Sequence, residues 1–489
     1  MLLKQPYILD DFSSGMIDDA AVSDSLMPRN AVRKAINCVF DTPRGSISSR
    51  LGSARAGVTL GSQVRGLYNF RDAGTGTNHQ LITTDNFGTT FYFDSGTTFT
   101  ATLQGDTVAL KTRFITFLDR VARLNGTDGV KSWTGATADA WVTTGGALDV
   151  ANWPSGTRFA RVFNSRVYTA GATASPDTLY YSSLPAASAI SWTSGNGSLE
   201  VNPNDGESGI TALETNGTVL LIFKQNSLYR WDGSSTFANR VINIGTSSQE
   251  SVAVHDSGWV YFFGIGKGGV GAYRTTGGYP QKLSLNIQKW FEAISASSYA
   301  NVSGFCDDDH YYLSVGSVTV NSETYSNAVF VFTISTQTWH IEDRGFVFTT
   351  FAHYVDSNSN LTVVSGDTAG NVHTMNSGTT DLGSPLNAEC ELAPIVFTTR
   401  SRTKSIGRIT NYATNFTGVQ FLMKTDDHDF DLVGEMKSTE HNFTSPQNKG
   451  HLFRGKRFFP KIVVNNTETG FQFDGLEFNE VDDEGVNNL

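Results

Sequence analysis

The chain has 489 residues, about three of the roughly 150-residue units that set the prior for domain number. With charged residues at 17%, Gly 48 and few Leu-, Glu- or Lys-rich periodic stretches, an all-helical protein is excluded, while 39% hydrophobic residues spread along the chain exclude disorder. The formal charge of −11 excludes a bulk nucleic-acid binder.

Residues 1–63 read as a leader with few strand signals. Ser23-Asp24-Ser25 ahead of Leu26-Met-Pro-Arg-Asn-Ala-Val-Arg-Lys-Ala35 predicts a short helical turn with Pro28 near its start. Cys38 to Arg50 predicts two short strands about a Thr-Pro-Arg-Gly turn. The leader is too short of apolar residues to bury itself and is expected to pack on something else. It is also basic. From Arg29 to Arg71, a run that passes just beyond the leader, Arg29, Arg33, Lys34, Arg44, Arg50, Arg55, Arg65 and Arg71 are interrupted by one acid, Asp41.

From Val64 a loose repeat begins: an apolar strand, a turn at Asn, Asp or Gly, a second apolar strand, then aromatic strands. The candidate units are 64–99, 112–153, 157–204, 209–247, 252–290, 299–343 and 346–396. Their turns recur at Leu118-Asp119, Asn164-Ser165, Asn216-Gly217, His255 to Gly258 and Asp307 to Asp309. A spacing of roughly 48 residues falls in the range of propeller blades, each a four-stranded antiparallel sheet that depends on its neighbours. The fold class expected is all-β: a β-propeller of about six to seven blades over 64–397, with an extended N-terminal leader. One helix is predicted over 285–294, with Leu285, Ile287, Trp290, Phe291 and Ile294 on one face.

Residues 398–489 change character again. Strands with period-2 alternation are predicted near Ile409, Val419, Phe430, Phe458 and Phe471, which suits a small C-terminal β-sandwich ending in an acidic tail of Glu477, Glu480, Asp482, Asp483 and Glu484. Two more basic clusters lie here, Arg400, Arg402, Lys404 and Arg408, then Arg454, Lys456, Arg457 and Lys461. Charge runs are ordinarily solvated surface, so each cluster alone says little.

Catalytic and metal signatures are weak. Cys38, Cys306 and Cys390 are far apart and form no CxxC spacing. Asp307-Asp308-Asp309-His310 and Asp426-Asp427-His428-Asp429 lack the alternation of a Ca²⁺ loop and read as turns. Gly264 to Gly271 joins two strands and reads as a hairpin turn, not a phosphate cradle. No cofactor, metal or catalytic activity is expected. The start lacks a signal-peptide core, and the longest apolar runs, Val219 to Phe223 and Trp259 to Phe263, are strand-sized. A soluble chain that folds inside a cell is the expectation.

Several stretches in order carry a resemblance: Thr178-Leu-Tyr-Tyr-Ser-Ser-Leu-Pro185, Ile190-Ser-Trp192, Leu199 to Leu213 with its Asn-Pro-Asn-Asp-Gly-Glu core, Leu220 to Tyr229, Gly258-Trp-Val-Tyr-Phe-Phe, Leu283 to Ile287, and Asn37 to Gly52 of the leader. Together they resemble phage tail β-propeller proteins, the nozzle, hub or packaged-DNA stabilisation proteins of short-tailed phages. The resemblance implies a homo-oligomeric ring, with a hexamer expected, stacked below portal and adaptor proteins in a virion tail assembled in the host cytoplasm. Its lumen would conduct double-stranded DNA and retain the genome until ejection; an acidic wall suits a sliding polyanion. The family has no catalytic residues to carry over. Partner or DNA contacts are expected at Arg29, Arg33, Lys34, Arg44, Arg50, Arg400, Arg402, Lys404, Arg454, Lys456 and Arg457, with subunit contact favoured over DNA. The alternative is a carbohydrate-binding or receptor-binding propeller, suggested by Trp133, Trp141, Trp153, Trp192 and Trp231. Tryptophan in blades more often fills the space between sheets.

Overall fold

A computed structural model describes residues 6–18, 26–41, 44–71, 79–84, 90–93, 99–101, 110–135, 141–355, 360–397, 403–444, 453–465 and 470–483. The chain is all-β in a β-propeller arrangement. Local chemistry explains the hairpins. Leu118 and Asp119 both take positive φ (50° and 54°), as do Asn164 and Ser165 (46° and 57°), the conformation of a two-residue type I′ turn whose twist matches that of the strands. Further along the repeat, Leu220–Lys224 is buried along its whole length. The Gly264 to Gly271 stretch is the expected hairpin, pairing Val260–Gly266 with Gly269–Thr275.

Five sheets are built from consecutive strands alone. The first holds Gly66–Arg71, His79–Thr84, Thr90–Phe93 and Thr100–Ala101. The second is Arg113–Phe117, Arg120–Leu124 and Lys131–Trp133, and the third is Phe159–Phe163, Arg166–Ala170, Thr178–Tyr181 and Gly197–Glu200. The fourth is Ile210–Thr215, Leu220–Lys224, Leu228–Trp231 and Asn239–Ile242. The fifth gathers strands between Ile244 and Lys282. The expected six to seven blades are thus corrected to five that are sheets in their own right. The reason is strand exchange: the remaining strands of the repeat merge with strands from both ends of the chain.

One composite sheet contains Phe348–Val355, Leu361–Asp367 and Val372–Met375, completed by Ser53–Arg55 of the leader, which pairs antiparallel with Val372–Met375. The other starts with Ser303–Cys306, His310–Val320, Glu323–Thr333 and Thr338–Asp343. It then runs on through the leader strand Ala31–Ile36 into Ala388–Leu392, Arg457–Val464, Val419–Thr425 and His428–Glu435. First strands lie side by side in sequence around an axis, from Gly66–Arg71 through each sheet to Phe348–Val355, which packs back against Gly66–Arg71.

Further leader and C-terminal strands share one more sheet, in which Tyr7–Leu9, Arg44–Ser49 and Lys404–Thr414 pair with Gln472–Asp483. The leader therefore packs on the rest of the chain, but as strands. Ala31–Ile36 is extended where a helical turn was predicted, because it inserts between Thr338–Asp343 and Ala388–Leu392; residues 23–25 lie outside the described residues. The predicted helix is brief, a 3-10 turn Ser284–Ile287 followed by Gln288–Glu292. Ile287, Trp290, Phe291 and Ile294 are buried, whereas Leu285 is exposed. All three cysteines are buried and unbridged.

Candidate functional site

The predicted contact residues separate into two groups. Arg50 is buried and its guanidinium pairs with Asp381, 2.5 Å from Nη2 to Oδ2. Lys34 is bonded to Glu323 and, at 2.6 Å, to Glu389. Burial opposes its charge, but Glu389 and Glu323 outweigh that and raise its pKa. Lys404 is buried. These three spend their charge or their surface inside the molecule, which corrects the expectation that they face a partner. Arg33 is half-buried in the same leader strand as Lys34. Arg29, Arg454, Lys456 and Arg457 are exposed. Arg29 lies over the Tyr7 ring at 5.2 Å, and Arg457 Nε donates to Asp426 Oδ1 at 2.5 Å. Arg400 and Arg402, and the side chain of Arg44, lie outside the described residues.

The tryptophans that suggested sugar stacking are core. Trp133 stacks on Trp141 at 5.6 Å, Trp153 meets Trp192 at 4.7 Å, and Trp231 meets Tyr168 edge-on at 5.5 Å, all buried. Asp307 and Asp309 organise turns: Asp307 accepts from the backbone of Asp309 and His310, and Asp309 accepts from Ser335. Among the described residues no group of three or more His, Cys, Asp or Glu could hold a metal ion. No described helix is long and apolar enough to cross a membrane.

What sequence reasoning missed is the axis. Two cavities of about 490 and 940 Å³ meet there, and both are lined by Arg65, Arg113, Gln249 and Glu250. Ion pairs cross this space from sheet to sheet. Arg161 of the third sheet grips Glu214 of the fourth with two 2.8 Å bonds, a fork geometry that fixes orientation. Glu250, on a 3-10 turn between two strands of the fifth sheet, binds Arg113 at 2.6 Å and Lys111 at 3.3 Å. Burial would raise its pKa, yet Arg113 and Lys111 outweigh burial and hold the carboxyl down at about 2. A carboxylate so held cannot donate a proton near neutral pH. Burial lowers the His353 pKa at the narrower cavity, where Phe305 meets its ring edge-on at 4.5 Å. Arg113, Arg161 and Glu214 all lie on first strands of their sheets. Aligning the repeat units on those strands would have brought them together.

No protein-family model matches the chain, and no curated protein matches it. Among solved structures it is similar to the crystal structure of the computationally designed Ika8 protein, at 13% identity over 66% of this chain and 98% of that one, with a TM-score of 0.39. It is also similar to YCF48 bound to D1 peptide, at 10% identity over 67% and 95% of the two chains, with a TM-score of 0.41. Neither likeness bears on chemistry.

Proposed function

We propose that this chain is a non-enzymatic structural component of a phage tail, a subunit of a nozzle or hub ring that conducts and retains the genome below a portal and adaptor. In this reading the two composite sheets tie the five-bladed propeller to both ends of the chain. The strands after residue 403, with those of the leader, make a sandwich on its flank. Ring contacts between its two sheets favour that arrangement: Phe421 stacks on Phe443 at 5.5 Å, and Phe458 lies 6.5 Å from Phe478.

The observation that carries the reading is the weaving of both chain ends into the propeller's sheets. Ser53–Arg55 and Ala31–Ile36 are strands of sheets that also hold propeller strands, so leader, propeller and C-terminal strands make a continuous hydrogen-bonded body. Such a body suits a part that keeps its shape while DNA is pushed through an assembly. The axial ion pairs fit the same reading, since Arg161–Glu214 and Arg113–Glu250 tie separate sheets together across the axis. Exposed Arg29, Arg454, Lys456 and Arg457 are then the residues to meet acidic neighbours at a ring rim.

Negative-stain microscopy of the purified chain, alone and with a portal–adaptor complex, tests the proposal. Rings seated on the complex are expected. A chain that stays monomeric and does not bind the complex overturns it.

A further inference from the structure

The larger axial cavity is lined by more cations than carboxylates. Arg65, Lys111, Arg113 and Arg158 line it against two carboxylates, Glu207 and Glu250. Glu250 is shared between Lys111 and Arg113, and Glu207 also holds Arg240 at 3.4 Å and accepts the Asn226 backbone N–H at 2.8 Å. Arg158 is exposed at the cavity, with one Nη2 bond to Thr173 Oγ1 at 2.8 Å.

Donors outnumber acceptors in the same place. Gln249 is only 5% exposed, and its Oε1 accepts the Leu213 backbone N–H at 2.7 Å, which fixes the amide. The Nε2 of that amide has no acceptor among the protein atoms, and neither does the buried Nε of Arg113. Two buried donors without protein acceptors, on residues that line both cavities, are an arrangement folding does not reward unless something else accepts from them. The cavity walls concentrate the field of the surrounding cations inside it.

We propose that this cavity binds an oxyanion of the phosphate type, whether free or esterified to a small polyhydroxylated group. Gln249 Nε2 and Arg113 Nε donate to it, and the lining cations Arg158 and Lys111 neutralise it. A volume of about 940 Å³ leaves room for an organic substituent beyond the anion. The proposal is independent of ring formation: a monomeric chain would bind the anion equally well.

The test is titration calorimetry of the full chain with sodium phosphate, glycerol 3-phosphate and glycerol at matched ionic strength. It is repeated on Arg158→Gln and Gln249→Glu, with thermal melts to check that each variant folds. Saturable binding of both anions and none of glycerol is expected. R158Q should weaken binding at least about threefold. Q249E keeps the acceptor for Leu213 while replacing the donor with a negative oxygen, and should abolish binding. Tighter binding of the ester identifies an esterified ligand, and equal binding a free anion. If neither anion gives a saturable signal, or if R158Q, which sits at the surface and should fold, binds like the parent, the proposal is overturned.

Discussion

The guanidinium of Arg50 and the carboxylate of Asp381, 331 positions apart, meet in a buried two-point pair that fastens the leader to the last propeller sheet. Arg344, itself paired with Glu342 at 2.7 Å, lies 3.7 Å from the same carboxylate, and Ser53 Oγ donates to it at 3.0 Å. Asn37 Oδ1 accepts from Arg50 Nε at 2.8 Å and from the Asp343 backbone at 3.0 Å. Removing one partner of such a buried pair strands the other charge, a loss of about 3–5 kcal/mol. Asp381→Ala should therefore lower the denaturant midpoint strongly, leaving Arg50 and Arg344 facing each other. Replacing Arg50 and Asp381 together by Met and Leu should recover part of the loss. Chemical denaturation of the three variants checks this, and a D381A midpoint equal to the parent's would contradict it.

That pair also marks what the sequence could and could not convey. Hairpins are local, so Leu118-Asp119 and Asn164-Ser165 were readable as turns, and the alternation of Val419–Thr425 was readable as a half-buried strand. Ser53–Arg55 is three residues long, and its partner Val372–Met375 is more than three hundred positions away, so no periodicity announces it. Blade number failed for the same reason: merging of sheets through Ala31–Ile36 is a long-range event. Arg50 looked like a partner contact because charge in a sequence is presumed to be solvated, whereas here it is neutralised by an acid that no local window contains. The axial residues Arg161 and Glu214 were invisible individually and become meaningful only when first strands are superposed.

Glu250 makes stability depend on acid. Its carboxyl is held at about 2 in the folded chain against an ordinary value of 4.5. The folded state thus releases a proton that the unfolded chain keeps, and the ion pairs stabilise fully above pH 4.5. That contribution, roughly 3 kcal/mol, drains away as pH falls from 4.5 towards 2. Glu250→Gln should be less stable than the parent at pH 7 and approach it near pH 2.5. Melting curves across that window provide the measurement; a constant difference at every pH would contradict the assignment.

Lys224 is fully buried and is the counter-charge of two carboxylates. Its ammonium meets Asp177 at 2.7 Å, Asp205 at 2.8 Å and the Asn202 carbonyl at 3.1 Å. Burial would lower its pKa, but Asp177 and Asp205 outweigh burial and raise it. The loop it gathers contains Asn202 and Asn204 at positive φ, 45° and 62°. Lys224→Met leaves two carboxylates without their counter-charge and should cost about 3–5 kcal/mol. The 201–209 loop should also become a site of limited proteolysis while the five free-standing sheets keep their strand content. Unchanged protease resistance in K224M would sink the assignment.

Gly52 is the point at which the leader enters its composite sheet. Its N–H donates to the Gly378 carbonyl at 2.8 Å, and its own carbonyl accepts from Ser377 at 2.9 Å, so the backbone is pinned on both sides. A Cβ there would stand 2.0 Å from the Thr380 carbonyl oxygen, and that oxygen belongs to backbone that cannot swing aside. Gly52→Ala should therefore push Ser53–Arg55 away from Val372–Met375 and cost about 1–3 kcal/mol, the range of an overpacked core. Gly129→Ala is the matched control, because a Cβ at Gly129 meets nothing within 4 Å. Hydrogen exchange at the amides of Val372–Met375 reads the effect directly. Faster exchange in G52A and none in G129A is expected, since loss of the leader strand exposes those amides. Equal protection in both variants would mean that the leader strand does not hold this sheet closed.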